Sequence, residues 1–338
     1  MNRLNELFYK YRNKIFFIIY YFLFSLTFCY LYYQKLVVKA DFYSYDSSSG
    51  IYAVLNFEAI KVLQYRLLVP FVFKILSLVF PFGDKAVYFL LTVIQTFIII
   101  FVFYHLLNEY FVDRKFNAVI APVIIYPMVW NYIILNGQLF YVDFSILIFI
   151  LLGYLFIVRD ETRLLLLTFL AGCFNHDSVG FLIVMYLLYN YNKIFTRKVL
   201  LTAALMSAIF IAIKYTLSIV FIDNYGVSFR LNHIRNYEHI FEIPLHRNIR
   251  NILLIYGGLH ILVIIVLRNK VWQRVSFPKL AINLTIIPYI PVIFFIHSVE
   301  EVRNYIASIP FVLIPLLIFL STIKRSFLIL HEKENTLC

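Results

Sequence analysis

The sequence predicts an all-α, polytopic integral membrane protein. Apolar residues make up 62% of the 338 positions and charged residues only 14%. Apolar runs of about twenty residues recur along the chain, and short pieces that carry Lys and Arg separate them. A helix of about twenty residues crosses the hydrocarbon core of a bilayer, and in lipid a helix satisfies its own backbone hydrogen bonds. The length leaves no stretch for a separate soluble domain, so we expect one transmembrane domain over 1–338.

The apolar runs predict about eight full spans. These lie at 15–34, 86–109, 117–135, 141–158, 199–222, 249–267, 280–298 and 305–323. The apolar segment 67–82 is too short for a ninth span and contains Pro70 and Lys74, so we expect a re-entrant or interfacial helix on the outer face. The segment 164–190 is apolar but interrupted in its middle.

Basic residues predict the orientation. Four of them precede the first span: Arg3, Lys10, Arg12 and Lys14. The positive-inside rule therefore places the N-terminus in the cytoplasm. If 164–190 is a short helical hairpin that turns at 175–178, ten later Lys and Arg residues are cytoplasmic and five are outside. A single span would reverse this ratio, so we expect the hairpin and a cytoplasmic tail at 324–338.

The first outer loop, 35–66, holds two carboxylates among tyrosines. Asp41 and Asp46 lie five residues apart, just after the first span leaves the membrane. A carboxylate at the edge of a low-dielectric cavity can act as a general base toward a hydroxyl group. The same composition is also typical of an ordinary interfacial loop, since Tyr and charged residues gather at that depth.

Two further polar features lie close to predicted membrane segments. Arg66 opens the short segment 67–82 and is either an interfacial anchor or a ligand for a lipid phosphate. His176 and Asp177 belong to the polar break, residues 174–178, which interrupts the predicted hairpin. Ionisable groups at membrane depth usually face a cavity or a partner, which makes a functional site the default hypothesis. A solvated hairpin tip is the alternative.

The second half of the chain adds three candidates. Glu300 or Glu301 can form an ion pair with Arg303, whose planar guanidinium suits a phosphate. Lys214 lies deep in a predicted span and requires a carboxylate partner, a cavity or a route to the interface. The second outer loop, 223–248, is rich in Arg and His. We find no metal-ligand spacing, and Cys29, Cys173 and Cys338 form no redox pair.

The order of these motifs resembles that of the polytopic glycosyltransferases of the GT-C superfamily. An Asp-x4-Asp loop follows the first span, and Tyr-Arg-Leu-Leu-Val-Pro (65–70) follows the loop. A polar break lies in mid-chain, and Glu-x-Arg-x-Tyr (301–305) precedes the final span. The resemblance implies a GT-C-like fold, with Asp41 as catalytic base and Asp46 as second choice.

The same resemblance implies roles for the other candidates. Arg66 and Arg303 would bind the donor phosphate, and Glu301 would orient Arg303. His176 stands where related sequences often have an Arg, and Asp177 follows it. The chain lacks the large C-terminal soluble domain of many members, so the loops would recognise the acceptor.

The function implied is inverting sugar transfer on the outer face of a bacterial inner (plasma) membrane. The partners would be a polyprenyl-phosphate sugar donor, a glycan or glycolipid acceptor and the lipid bilayer, with no nucleic acid. No cofactor is expected, and a divalent metal stays an open alternative that no ligand spacing supports. The product would belong to a surface polysaccharide or a glycolipid. Three alternatives stay open, namely a repeat-unit polymerase for O-antigen or capsule, a transporter or flippase for a lipid-linked or anionic solute, and a non-catalytic scaffold.

Overall fold

The protein is all-helical. The computed structural model describes residues 2–34, 50–135, 142–226, 234, 236–237, 254–267, 275–296 and 302–323, and no strand occurs within these ranges. In chain order the α-helices are α1 (Asn2–Tyr32), α2 (Ile51–Leu55), α3 (Lys61–Gln64), α4 (Leu68–Val79), α5 (Asp84–Leu107), α6 (Arg114–Ile120), α7 (Ile125–Met128), α8 (Asp143–Val158), α9 (Thr162–Cys173), α10 (Phe181–Tyr189), α11 (Arg197–Val220), α12 (Leu259–Leu267), α13 (Phe277–Ala281), α14 (Ile286–Ile296) and α15 (Ile309–Ile323). A π-helix (Val129–Ile134) follows α7. Short 3₁₀ turns link several of the others.

Six helices of the described part are long and apolar enough to cross a membrane. They are Ile15–Tyr32, Asp84–Leu107, Arg114–Ile134, Arg197–Val220, Phe277–Phe295 and Asn304–Ser321. The predicted spans at 141–158 and 249–267 correspond to shorter helices, the 16-residue α8 and the described end of the latter segment. The predicted short helix at 67–82 is the 12-residue α4. The membrane-like helical architecture is thus confirmed.

Helix α8 forms the centre of the bundle. It is apolar on every side and buries most of its residues, which is the pattern of a core helix. It packs against α5, α9 and α10. Gly153 lets α10 come close, because a Cβ built there would lie 2.3 Å from a methyl carbon of Leu182.

One end of the bundle, here called the basic end, gathers the ends of several helices. Arg159 Nε lies 2.7 Å from Glu109 Oε1, and Lys198 Nζ lies 2.9 Å from Asp160 Oδ2. The Tyr189 hydroxyl donates to the Val158 carbonyl over 3.2 Å. The segment between α8 and α11 therefore starts and finishes at the same end, which is the geometry of a helical hairpin formed by α9 and α10.

The other end, here called the break end, contains the polar break and the starts of α5 and α8. Helix α4 packs here against the first turns of α5, through Val69 and Phe73 on one side and Val87 and Leu91 on the other. The opposite face of α4 is exposed and strongly apolar. Its 12 residues span about 18 Å, too little to cross the roughly 30 Å hydrocarbon core.

Candidate functional site

The polar break forms where α9 ends. The backbone N–H groups of Asn175 and His176 both donate to the Gly172 carbonyl, over 2.9 and 3.1 Å, and the helix stops there. The His176 backbone is extended, and its Nδ1 accepts from the Ser178 N–H over 3.1 Å. This bond caps the 3₁₀ turn Asp177–Gly180, which leads into α10. Nδ1 is therefore unprotonated, since it acts as an acceptor.

Lys214 of α11 binds the polar break directly. Its Nζ lies 2.6 Å from Asp177 Oδ1 and donates to the Cys173 carbonyl over 3.0 Å. The Lys214 side chain is 17% exposed, whereas that of Asp177 is 50% exposed. Of the three alternatives that the sequence left open for Lys214, the structure shows a carboxylate partner, which is Asp177. Asp177 is the more exposed member of the charged pair, and Lys214 lies mostly beneath it.

The start of α4 also lies against the polar break. The Leu68 N–H donates to the Phe174 carbonyl over 3.2 Å. Arg66, two residues earlier, is partly buried at this junction. Tyr65 packs with Phe221 and Leu217 at the end of α11. Two features that are more than 100 residues apart in sequence, the start of α4 and the polar break, therefore meet in the fold.

Residues 50–66 fold into a compact cover over the end of α11. The buried Gln64 holds this cover together, because its Nε2 donates to Val54 O (2.9 Å) and its Oε1 accepts from Ala59 N (3.1 Å). Asn224 joins from the other side and donates to the carbonyls of Phe57 and Ala59. At the cover's edge, burial and then the Asp84 carboxylate raise the pKa of Tyr52 to about 12.

A second group of polar side chains, here called the polar layer, lies inside the bundle at the break end. It consists of Asn131, Tyr132, Asp143, Ser145, Asn175, Ser178 and Tyr289. The Tyr132 hydroxyl donates to Asp143 Oδ2 over 3.2 Å, and Ser145 Oγ lies 2.7 Å from Asn175 Oδ1. The buried Tyr289 donates its hydroxyl hydrogen to the Asn304 carbonyl over 2.6 Å. Among the described Asp, Glu, Lys and Arg residues, Asp143 alone is buried.

Sequence reasoning missed Asp143. The residue lies within the predicted span 141–158, and an ionisable group inside a span is itself a signal for a functional site. Because Asp143 lies only two residues from the edge of the predicted span, it was interpreted as a residue at the membrane boundary. Its hydrogen-bond donor Tyr132 belongs to another helix, so no local sequence pattern predicts the contact.

The remaining predicted site residues fall outside the described part of the chain. These are Asp41 and Asp46 of the first outer loop, and Glu300 and Glu301 before the last helix. The backbone of Arg303 lies in the short 3₁₀ helix Val302–Ser308, and its side chain is not among those described. The tail 324–338 and most of the loop 223–248 are likewise outside.

The site holds no arrangement typical of a metal centre within the described residues, where no three His, Cys, Asp or Glu side chains are close enough to share an ion. No protein-family model, curated protein or solved structure matches the chain. The interpretation of the site therefore depends on its own chemistry.

Proposed function

We propose that this protein is a membrane glycosyltransferase, which moves a sugar from a polyprenyl-phosphate-linked donor to an acceptor at the cell surface. The observation that carries the proposal is the meeting of Lys214, Asp177 and the start of α4 at the polar break. Lys214 Nζ contacts the Asp177 carboxylate and the Cys173 carbonyl, and the Leu68 amide is bonded to Phe174. Lys214 thus reaches the polar break through its side chain, and the chain reaches it again at Leu68, two residues after Arg66.

This arrangement suits a lipid with a phosphate head. Ammonium and guanidinium groups form strong, charge-assisted hydrogen bonds with phosphate oxygens. The exposed face of α4 starts beside these groups and carries Phe71, Ile75, Leu78 and Val79. A polyprenyl chain can lie along such an apolar face in the bilayer while its phosphate stays at the polar break.

Charge distribution supports an outward-facing site. Eight Lys and Arg residues whose side chains are described lie at the basic end, namely Arg114, Lys115, Arg159, Arg163, Lys193, Arg197, Lys198 and Lys279. Five lie toward the break end, namely Lys61, Arg66, Lys74, Lys85 and Lys214. The positive-inside rule then assigns the basic end to the cytoplasm and the break end to the outer face. This orientation agrees with cytoplasmic termini in a bacterial inner membrane.

The proposed reaction is an inverting displacement. Asp41, with Asp46 as second candidate, removes a proton from the acceptor hydroxyl, and that oxygen attacks the anomeric carbon. The bond from this carbon to the donor phosphate breaks, and the lipid phosphate leaves with the electron pair. Lys214, Arg66 and Arg303 stabilise the charge that develops on the phosphate, and fixed cationic groups are most effective in that role. Glu301 or Glu300 orients Arg303.

A repeat-unit polymerase would use the same basic groups on a lipid pyrophosphate, and it remains the second enzymatic proposal.

A transporter requires a polar path through the bundle. Between the polar layer and the basic end, α8 contributes only apolar residues from Ile146 to Gly153. This observation favours an enzyme with a site at one end over a transporter.

The test uses the full-length protein in nanodiscs, with radiolabelled undecaprenyl phosphate sugars as donors and cell-envelope glycolipids as acceptors. Transfer of label to the acceptor is expected. Lys214→Met should lower both transfer and the binding of undecaprenyl phosphate about tenfold or more, since a charge-assisted contact is lost. The matched control is Lys198→Met, which removes an exposed ion pair at the basic end and should leave both unchanged.

Other outcomes overturn the proposal. Failure of undecaprenyl phosphate to bind would remove its basis, as would equal effects of the two lysine variants. Release of undecaprenyl pyrophosphate during chain growth would identify a polymerase. Movement of label across a proteoliposome membrane without a new glycosidic bond would identify a transporter.

A further inference from the structure

The polar break lies well inside the length of the bundle that crosses the membrane. Helices α5 and α8 pack side by side and both finish at the basic end, where Glu109 and Arg159, just beyond their last residues, form an ion pair. With 24 and 16 residues, the two helices are about 36 and 24 Å long. Ser145, in the first turn of the shorter α8, lies 2.7 Å from Asn175 Oδ1. The polar break is therefore about two helical turns closer to the basic end than the start of α5 is.

Helix α11 gives the same depth independently. Lys198 near its start is paired with Asp160 at the basic end, and Lys214 lies sixteen residues later in the same helix. At about 1.5 Å per residue, Lys214 is about 24 Å from the basic end. The exposed Lys198–Asp160 pair marks one edge of the hydrocarbon core, which is roughly 30 Å thick. The Lys214–Asp177 pair accordingly lies several Å inside the opposite edge.

The carboxylate of this deep ion pair is open to its surroundings. Asp177 is half exposed, whereas Lys214 lies mostly beneath it. An ionisable group at membrane depth is costly among acyl chains and normally faces the bundle interior or water. Asp177 does not face the interior, so the material beside it has to be polar.

The exposed surface of the α9–α10 hairpin changes from apolar to charged at its tip. Leu164, Leu167 and Leu170 are exposed along α9, one turn after another. From 171 to 190, Asp177 is the one exposed residue. The lipid-facing stripe of leucines therefore ends before the tip, at the depth where acyl chains would surround a full-length span.

The two helices of the hairpin are short as well. Helix α9 has 12 residues and α10 has nine, which gives about 18 and 14 Å. A bilayer becomes thinner around an apolar segment that is shorter than its hydrocarbon core. Thinning brings the headgroup region down to the segment's end, and here that end carries the charged pair.

We infer that the leaflet at the break end dips at the hairpin tip, so that phospholipid headgroups and their water reach Asp177 and Lys214. The partner is the headgroup layer of the bilayer itself. The inference does not depend on the proposed function, because it follows from helix lengths and exposure alone.

Thiol reactivity in nanodiscs tests the position of water. Asp177→Cys would be introduced into the full chain with its native cysteines replaced by Ser, and a small charged methanethiosulfonate would be added. Ile94→Cys is the matched control, because Ile94 is an exposed apolar residue as far from the end of α5 as Ser145 is from the end of α8. The thiol at position 177 should react about a hundredfold faster than the thiol at position 94, the size of the penalty for a charge within the bilayer.

Fluorescence quenching identifies the part of the lipid beside each position. A fluorophore would be attached to the same two thiols, and the quenchers would be phosphatidylcholines with a nitroxide either on the headgroup or midway along an acyl chain. The headgroup nitroxide should quench more strongly at position 177, and the order should reverse at position 94. If Asp177→Cys destabilises the protein, the double variant Asp177→Cys/Lys214→Met removes the unpaired ammonium and is measured in the same way.

The two measurements fail in different ways. Equal, slow reaction at positions 177 and 94 would overturn the inference, because it would place acyl chains at the hairpin tip. Fast reaction at 177 with stronger quenching by the acyl-chain nitroxide would also overturn it, since water would then reach Asp177 without the headgroups. Neither measurement uses a sugar donor, so neither outcome bears on the proposed function.

Discussion

Lys214 and Asp177 form an ion pair, with 2.6 Å between Nζ and Oδ1, that joins α11 to the tip of the α9–α10 hairpin. Lys214 is not an ordinary surface charge, because its side chain is only 17% exposed and lies in an apolar helix, whereas Asp177 is half exposed. The pair ties the polar break to the bundle and leaves one side of Asp177 open.

A charge reversal tests this pair as a structural contact. Lys214→Asp places two carboxylates together and should lower the melting temperature in detergent, by a free energy of about 1–3 kcal/mol. The double variant Lys214→Asp/Asp177→Lys should recover most of that loss, because the two opposite charges meet again. Additive losses in the double variant would contradict the pairing. Sugar transfer should stay low in both variants, since the positive charge has moved.

The catalytic base can be assigned between the two loop aspartates. Asp41→Asn should lower sugar transfer about 10²- to 10⁴-fold, the usual contribution of a general base, without changing membrane insertion or yield. Asp223→Asn is the control, because Asp223 is an exposed carboxylate beyond the end of α11. Full activity in Asp41→Asn, with loss in Asp46→Asn, would move the base to Asp46. Full activity in both would exclude the proposed mechanism.

Gly257 allows the chain to pass Trp130 and Tyr126. Its φ is +63°, and a Cβ built there would lie 2.4 Å from Trp130 and 2.5 Å from Tyr126. Gly257→Ala should therefore destabilise the protein by about 2–4 kcal/mol, through strain and overpacking. Gly83→Ala is the control, because no atom lies within 4 Å of a Cβ at that position. Thermal unfolding in detergent measures both, and equal melting temperatures would contradict the described packing at Gly257.

Cysteine labelling tests the hairpin. Single cysteines at Arg163, Asn192 and Asp223, all exposed positions, would be introduced into a chain whose native cysteines are replaced by Ser. The first two should react with an impermeant maleimide from one side of the membrane and the third from the other, because α9 and α10 return the chain to the basic end. Labelling of 163 and 192 from opposite sides would indicate a single span instead.

Much of the architecture is predictable from the sequence, because the length of each apolar run is set by consecutive residues and can be compared directly with the thickness of the bilayer. The short length of α4 and the interruption at 174–178 followed from single polar residues and prolines within such runs. The sequence also showed that Lys214 needs a carboxylate partner, a cavity or a route to the interface, since an unpaired ammonium at that depth is costly. The sequence did not show that Lys214 pairs with Asp177, because the candidate acids lie on different segments of the chain.

Three properties can be read from the amino-acid order alone: the chain is helical, its helices are apolar enough for a membrane, and polar residues interrupt them at known positions. These properties depend on residues close together along the chain. Only in the folded chain do the start of α4, the polar break and Lys214 come to one end of the bundle, and only there does Tyr132 contact the buried Asp143. Contacts between helices depend on packing across the core. Many apolar side chains there are similar in size, so the sequence around one of them does not show which residue it packs against.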